Sequence, residues 1–188
     1  MDSGSRGLAM TRLSRSSRDP ARWEEVGYIE IDAATAGFGD AHAVKLLADQ
    51  PKLFHFVKPV QPFPGIEDWQ RVGIPFIAAF TRADVACPIE RAFDTDGRVG
   101  GLRVEFVNDV ENSKGEWREV GRLIIFSGRC VVADPYCMRS EQGAYQRELG
   151  APTGSHSVQA FYWEQDQDLL GLRILFSEPL ARPKWGVD

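Results

Sequence analysis

Hydrophobic and polar residues alternate over several stretches of the chain, the spacing that sets one face of a β-strand against a core. Two further stretches, 41–49 and 140–149, carry helical apolar spacing or helix-capping residues and predict short α-helices. The sequence therefore predicts a β-dominated α+β fold. The predicted strands span residues 26–32, 74–81, 99–107, 119–126, 129–133, 155–163 and 169–176.

Three sequence blocks recur in the same order. Residues 26–31, running on to Asp40, match 120–125, running on to Asp134; 73–80 match 154–161, and 101–106 match 171–176. The offset between matched blocks falls from 94 to 81 to 70, as expected if one copy carries longer loops. The recurrence predicts an internal duplication, with two related antiparallel β units packed as one body.

The sequence also predicts which strands are connected and where the two units begin and end. Two pairs of strands are expected to form hairpins: 119–126 with 129–133, and 155–163 with 169–176. Strands 74–81 and 99–107 are expected to be joined through the charged turn at 94–97. The predicted segments are a disordered Ser/Arg-rich tail at 1–22, a first β unit at 23–112 with a Pro/Phe-rich loop at 51–65, a second β unit at 117–180, and a tail at 181–188.

Composition narrows the function classes. The formal net charge of −5 argues against nucleic acid as the main partner, because phosphates are neutralised by Lys and Arg. No apolar run reaches the length of a membrane helix, and no apolar segment follows the arginine-rich start, so we expect a cytoplasmic protein without a membrane partner. The 3 cysteines give neither a disulfide framework nor a zinc motif. Oligomeric state is left open.

Candidate binding residues lie where the duplicated strands end. Asp40 with His42, and Asp134 with Tyr136, occupy matching positions, and His156 is a further candidate partner for Asp134. A carboxylate and an imidazole at a strand end can hold a metal or act as a base. The alternative is structural, because Asp at a turn accepts backbone N–H bonds through its side chain.

Arg103 and Arg173 are a second candidate pair, since they occupy matching positions on duplicated strands. Two such arginines could bracket an anionic ligand across a pseudo-two-fold axis. The alternative is that each faces solvent. No nucleophile elbow, phosphate-binding loop or zinc-protease motif occurs, so we assign no catalytic residue, metal or cofactor and regard an enzyme as the less favoured class.

The second copy resembles a bacterial family catalogued as domain of unknown function 4241. The resemblance rests on the S-G-x5-D-P motif that begins at Ser127-Gly128 and ends at Asp134-Pro135, and on the P-x-G-x-H-x-V motif at 152–158. It covers about 60 residues of the second copy. The first copy departs from the pattern, because Ala41 stands where the family has proline. The resemblance implies a strand-and-turn arrangement and no assigned chemistry.

Small size, acidity, aromatic content and the lack of catalytic motifs together favour a bacterial binding protein. The most concrete hypothesis is an immunity protein that neutralises a toxin by direct binding, since an acidic surface attracts a basic protein. One alternative is a metal- or small-ligand-binding enzyme that uses the turn aspartates. Another is a phage or mobile-element inhibitor of a host system.

Overall fold

Eleven antiparallel strands and two short 3₁₀ helices, Trp69–Val72 and Gly143–Tyr145, make up the regular structure that the computed structural model describes. The described residues are 20, 22–42, 57–81, 85–107, 110, 114–137, 143–163 and 168–180. The strands are β1 (Arg22–Glu30), β2 (Thr35–Asp40), β3 (Ile66–Asp68), β4 (Phe76–Phe80), β5 (Ala86–Phe93), β6 (Val99–Glu105), β7 (Gly115–Ile125), β8 (Arg129–Ala133), β9 (Gln146–Gly150), β10 (Gly154–Trp163) and β11 (Leu169–Leu180).

The strands form two sheets, and each half of the chain contributes to both. The six-stranded sheet has the order β1-β5-β6-β11-β10-β7, and the five-stranded sheet has the order β3-β4-β2-β8-β9. In the six-stranded sheet, the first half of the chain contributes β1, β5 and β6 from one edge to the centre. The second half contributes β7, β10 and β11 from the other edge to the centre. In the five-stranded sheet β2 and β8 are central, with β4 and β9 beside them. The strand order therefore has pseudo-two-fold symmetry.

Strand register places the pseudo-two-fold axis at two residue pairs. Phe38 lies opposite Val132 in the five-stranded sheet, and Arg103 lies opposite Arg173 in the six-stranded sheet. These partners are related by the offsets of 94 and 70 that the outer sequence blocks gave, so each pair is its own symmetry mate. The register supports the interpretation of the chain as a duplication.

The middle sequence match is wrong as a correspondence. Residues 73–80 contain β4 of the five-stranded sheet, whereas 154–161 lie in β10 of the six-stranded sheet. The topological mate of β10 is β5, which the sequence analysis did not predict as a strand. The pattern of β5, with Pro88, Glu90 and Arg91 inside it, hides the alternation that identifies other strands.

Two further predictions of local structure are wrong. The described part of the helix expected at 140–149 is instead the 3₁₀ helix Gly143–Tyr145 followed by β9, which pairs with β8 over its full length. The expected hairpin of β7 with β8 is a corner, because β7 pairs with β10 in one sheet and β8 pairs with β2 and β9 in the other. The hairpin of β10 with β11 is confirmed.

Three predictions for the first half of the chain fall partly outside the described residues. β1 begins at Arg22, so the strand takes up the last residue assigned to the tail, while residues 1–19 lie outside the described residues. The helix expected at 41–49 also lies outside them, apart from Ala41 and His42. In the loop expected at 51–65, the described residues form no regular strand beyond a single bridge of Pro59 to Glu67.

The main core lies between the two sheets, where alternate residues of each strand meet. It includes Leu102 and Val104 of β6 and their symmetry mates Leu172 and Ile174 of β11. A second apolar cluster, around Trp69 and Phe76, covers the other side of the five-stranded sheet. Polar side chains that point away from the core lie on the outer face of the six-stranded sheet. Within the described segments, no helix has the length and apolar character needed to cross a membrane.

Candidate functional site

The turn aspartates Asp40 and Asp134 are buried and bind backbone N–H groups of the opposite half of the chain. One carboxylate oxygen accepts two N–H bonds from the other half's turn, and the second oxygen accepts one from the residue two positions ahead. The donors to Asp40 are Phe126 (2.8 Å), Ser127 (2.8 Å) and His42 (2.9 Å), and those to Asp134 are Asp32 (3.0 Å), Ala33 (2.9 Å) and Tyr136 (3.0 Å). The two sets correspond one to one under the offset of 94.

These bonds determine what the carboxylates can do. Burial by itself raises the pKa of Asp40, but the N–H groups of Ser127, Phe126 and His42 outweigh it and hold the pKa below its usual value. A carboxylate already accepting three N–H bonds is ill suited to hold a cation, because the donors carry the same sign of partial charge. Asp40 and Asp134 therefore join the two halves of the molecule.

The other strand-end candidates do not converge with these aspartates. Asp40 binds the backbone of His42, whose ring lies against Phe126 at 6.1 Å between centroids. The Tyr136 hydroxyl donates to the Glu67 carboxylate at 3.1 Å, and the phenol packs edge-on against Trp69. No Asp–His ligand pair is found among these described residues.

His156 is fully buried and bonds to the backbone on both sides. Its Nδ1 accepts the N–H of Ser177 at 3.2 Å, so Nε2 carries the proton and donates to the carbonyl of Pro152 at 2.8 Å. Burial lowers its pKa, and the nearby Arg122 adds to that effect. His156 thus positions β11 and does not pair with Asp134.

Arg103 and Arg173 lie side by side on the outer face of the six-stranded sheet. Each guanidinium stacks on a tryptophan at 4.4 Å from the ring centroid, Arg103 on Trp23 and Arg173 on Trp117. Each Nε also donates to the neighbouring strand, to the Glu90 carboxylate or to the Gln159 amide. Trp23 and Trp117 are related by the offset of 94. The structure therefore contains two equivalent Trp–Arg units on the outer face of the sheet.

The two units differ in charge. Arg103 is buried between the carboxylates of Glu90 and Glu105. The positions equivalent to those carboxylates are Gln159 and Leu175, which carry no charge. The outer face thus has the same framework in both halves but a different electrostatic character in each.

The first half of this face is acidic. We call the outward residues Glu25, Tyr28, Glu30, Glu90 and Glu105 the acidic half-face. Glu90 and Glu105 pair with Arg103, while Glu25 and Glu30 are exposed, so the carboxylates outnumber that guanidinium. Tyr28 is 55% exposed and donates its hydroxyl to Glu25 at 2.8 Å, a bond that raises the pKa of the phenol. An exposed ring among carboxylates is a surface suited to contact with another molecule.

A cleft of about 610 Å³ lies on the same outer face, mainly over strands of the second half. It crosses the sheet from β7 to β5 at one end of the strands. Its polar lining includes Glu119, Arg122, Ser157, Gln159 and Arg173, and its apolar lining includes Phe93, Leu175 and Phe176. Arg122 is oriented by Ser155, whose hydroxyl and carbonyl accept from its Nε and Nη2 at 3.1 and 2.8 Å.

Sequence analysis missed the residues that give this face its character. The offset of 94 extends three residues before the first matched block and pairs Trp23 with Trp117, so the tryptophans were within reach of the alignment. Glu90 and Gln159 were not, because they belong to the strand pair that the middle block misaligned. No pattern in the sequence identified Arg122 as a site residue.

Among the described residues, no three His, Cys, Asp or Glu side chains are grouped so as to hold a metal ion. Comparison of the chain with protein-family models, curated proteins and solved structures finds no match. The resemblance of the second copy to the family of unknown function therefore stays a prediction, and the geometry alone bears on function.

Proposed function

We propose that this is a cytoplasmic binding protein that recognises a basic protein partner through the acidic half-face. The observation that carries the proposal is the combination of the exposed carboxylates of Glu25 and Glu30 with the half-exposed ring of Tyr28 on one sheet surface. Beside them, Glu90 and Glu105 outnumber the Arg103 guanidinium that they flank. Aromatic rings supply contact area in protein interfaces, and surrounding charges select the partner and speed its approach.

An immunity protein that neutralises a basic toxin by direct binding is the concrete form of this proposal. The net charge of −5 supports it, because an acidic protein attracts a basic one at long range. A phage or mobile-element inhibitor of a host system would use the same surface, and the identity of the captured protein distinguishes the two.

The duplicated structure offers a matched control for the test. Glu25 on the acidic half-face and Glu119 on the other half occupy equivalent positions, 94 residues apart, and both are exposed. Affinity capture from the source organism, including proteins encoded beside the gene, would use the wild type, Glu25→Lys and Glu119→Lys. The captured protein would be identified by mass spectrometry and its association rate measured at several salt concentrations.

We expect the wild type and Glu119→Lys to retain one basic protein at sub-micromolar affinity, with an association rate that falls as salt rises. Glu25→Lys should associate at least about tenfold more slowly, because it places a like charge in the partner's path. Capture of no basic protein, or equal weakening by both substitutions, would contradict the proposal.

A further inference from the structure

One residue at the floor of the cleft on the outer face has no side chain. Gly100 on β6 lines it, and a Cβ added there would have no heavy atom within 4 Å. The neighbouring Gly101 pairs with Leu175 of β11. Gly100 itself lies at a register shift, between Val99 and Gly101, which both pair with β5 and β11. The depression therefore comes from one missing side chain between two paired residues of the sheet.

The cleft brings two kinds of surface together. Arg122 of β7 and Arg173 of β11 supply two guanidinium groups. Between them, Ser157 and Gln159 of β10 add hydrogen-bonding groups. Phe93 and Leu175 give the end toward β5 an apolar wall. A volume of about 610 Å³ falls within the range of small-molecule sites, which combine apolar walls with a few oriented polar groups.

Comparison between the two halves shows that the guanidinium of Arg122, and the lack of carboxylates at the two positions that flank Arg173, are specific to the second half. At the positions of Glu90, Glu105 and Tyr28 in the first half, the second has a neutral amide, a leucine and Arg122. With Ile124 at the position of Glu30, these differences make the second half more positive by four charges on an equivalent strand framework. Stability of the shared framework does not require that difference, since the first half forms the same strands without it.

The remaining carboxylates limit the charge of the ligand. Glu119 and Asp94 also line the cleft, and Glu119 already accepts the hydroxyl of Ser157 at 2.8 Å. Arg98 also lines the cleft and pairs with Asp94 at 2.9 Å, and Glu119 lies 4.0 Å from Arg122. The three arginines and two carboxylates of the lining therefore leave one net positive charge, which a single carboxylate matches and a dianionic group such as a phosphate monoester exceeds. We propose that the cleft binds a small monocarboxylate with an apolar body, its carboxylate on Arg122 and its body against Phe93 and Leu175.

Binding of model compounds to the full-length protein tests this assignment. Phenylacetate and octanoate would serve as ligands, phenylacetamide as the neutral isostere, and phenyl phosphate as the dianion. Affinities would come from calorimetry, and contacts from chemical-shift changes of the backbone amides. The variants are Arg122→Gln, which removes the charge, and Gly100→Leu, which fills the floor where space is open. Arg71→Gln, an exposed arginine on the 3₁₀ helix Trp69–Val72, is the control.

We expect phenylacetate or octanoate to bind the wild type and Arg71→Gln equally and to shift amides of the cleft. Arg122→Gln should weaken binding about tenfold or more, and Gly100→Leu should abolish it. The inference is overturned if neither carboxylate binds at millimolar concentration, if phenylacetamide binds as well as phenylacetate, or if phenyl phosphate binds more tightly. It is also overturned if the Arg122 and Gly100 variants bind like the wild type.

This inference does not depend on the proposed protein partner. Partner capture is tested by Glu25→Lys on the acidic half-face, whereas the cleft is tested with purified protein and with substitutions at Arg122 and Gly100, which lie outside the acidic half-face. Failure of one proposal in its test therefore leaves the other proposal unaffected.

Discussion

The carboxylates of Asp40 and Asp134 are held by three N–H groups each, two of them from the opposite half of the chain. A buried carboxylate is stable only when such donors replace its lost hydration. The same residue type at the same turn position therefore serves to join two units, and its recurrence in both copies reflects that shared geometry.

Replacing Asp40 with asparagine tests this role. In either orientation the amide presents an NH₂ group to at least one of the N–H donors, leaving that donor unpaired in the interior. We expect Asp40→Asn to lower the free energy of unfolding by about 1–3 kcal/mol. Asp96→Asn, at an exposed turn position, should change it by less than about 0.5 kcal/mol. Urea unfolding measures both, and equal small losses would show that the cross-half bonds contribute little.

His156 gives the protein a specific dependence on pH. Its folded-state pKa lies below the unfolded value near 6.5, so as the pH falls the unfolded chain binds a proton before the folded chain does. Stability is therefore full above pH 6.5 and falls as the pH drops toward the folded pKa, by at most about 1.4 kcal/mol per pH unit.

Unfolding free energies at several pH values between 7.5 and 5 would show this dependence, which we expect to be weaker in His156→Gln than in the wild type. His42→Gln, at an exposed histidine, is the control. Identical pH slopes in the wild type and His156→Gln would show that the imidazole is not held neutral in the folded protein.

Among the elements, β9 shows how pairing outweighs local preference. Residues 140–149 carry a helix-capping serine and a following glycine, yet Gln146–Gly150 form a strand. All five positions lie opposite residues of β8, so the backbone groups at the edge of that strand find partners. A helix in the same place would leave the edge of β8 open, which costs more than the modest preference of a short segment.

The turns between β1 and β2 and between β7 and β8 differ at one equivalent position. Gly128 has a φ of 77°, and its counterpart Ala34 holds the same left-handed region at 53°. A residue with a side chain pays about 1 kcal/mol or more to adopt this conformation.

This difference predicts effects of opposite sign. Gly128→Ala should destabilise the protein by about 1 kcal/mol, while Ala34→Gly should stabilise it by about 0.5 kcal/mol because the relief slightly exceeds the added chain entropy. Thermal unfolding of both variants checks the pair. Gly100→Ala, where φ is ordinary and space is open, is the control. Destabilisation by Ala34→Gly would show that the alanine turn is not strained.

At the scale of the whole molecule, the two halves of the chain cannot be separated into domains. The central strand pairs, β2 with β8 and β6 with β11, each join one half to the other. Both sheets and the core between them are therefore completed only by both halves of the chain.

A fragment of residues 114–188 should consequently be unfolded when expressed alone, with few dispersed amide resonances. Mixing or co-expressing it with residues 1–113 should restore the spectrum of the intact protein, because the halves supply each other's central strands. The intact chain should unfold in a single transition with denaturant. An independently folded fragment, or two separate transitions, would contradict this expectation.

The sequence alone determined the strand-rich class, because alternation needs only neighbouring residues, and it determined the recurrence of the outer blocks together with their turn aspartates. It predicted the hairpin of β10 with β11 for the same reason: that contact is local. Tertiary structure decided which sheet β7 and β8 enter, the identity of β9, and the partners of Asp40 and His156, since these depend on contacts between distant segments. It alone assembled Trp23, Glu90 and Arg103, and the cleft around Arg122, because each draws on separate strands whose adjacency is set by the packing of the whole chain.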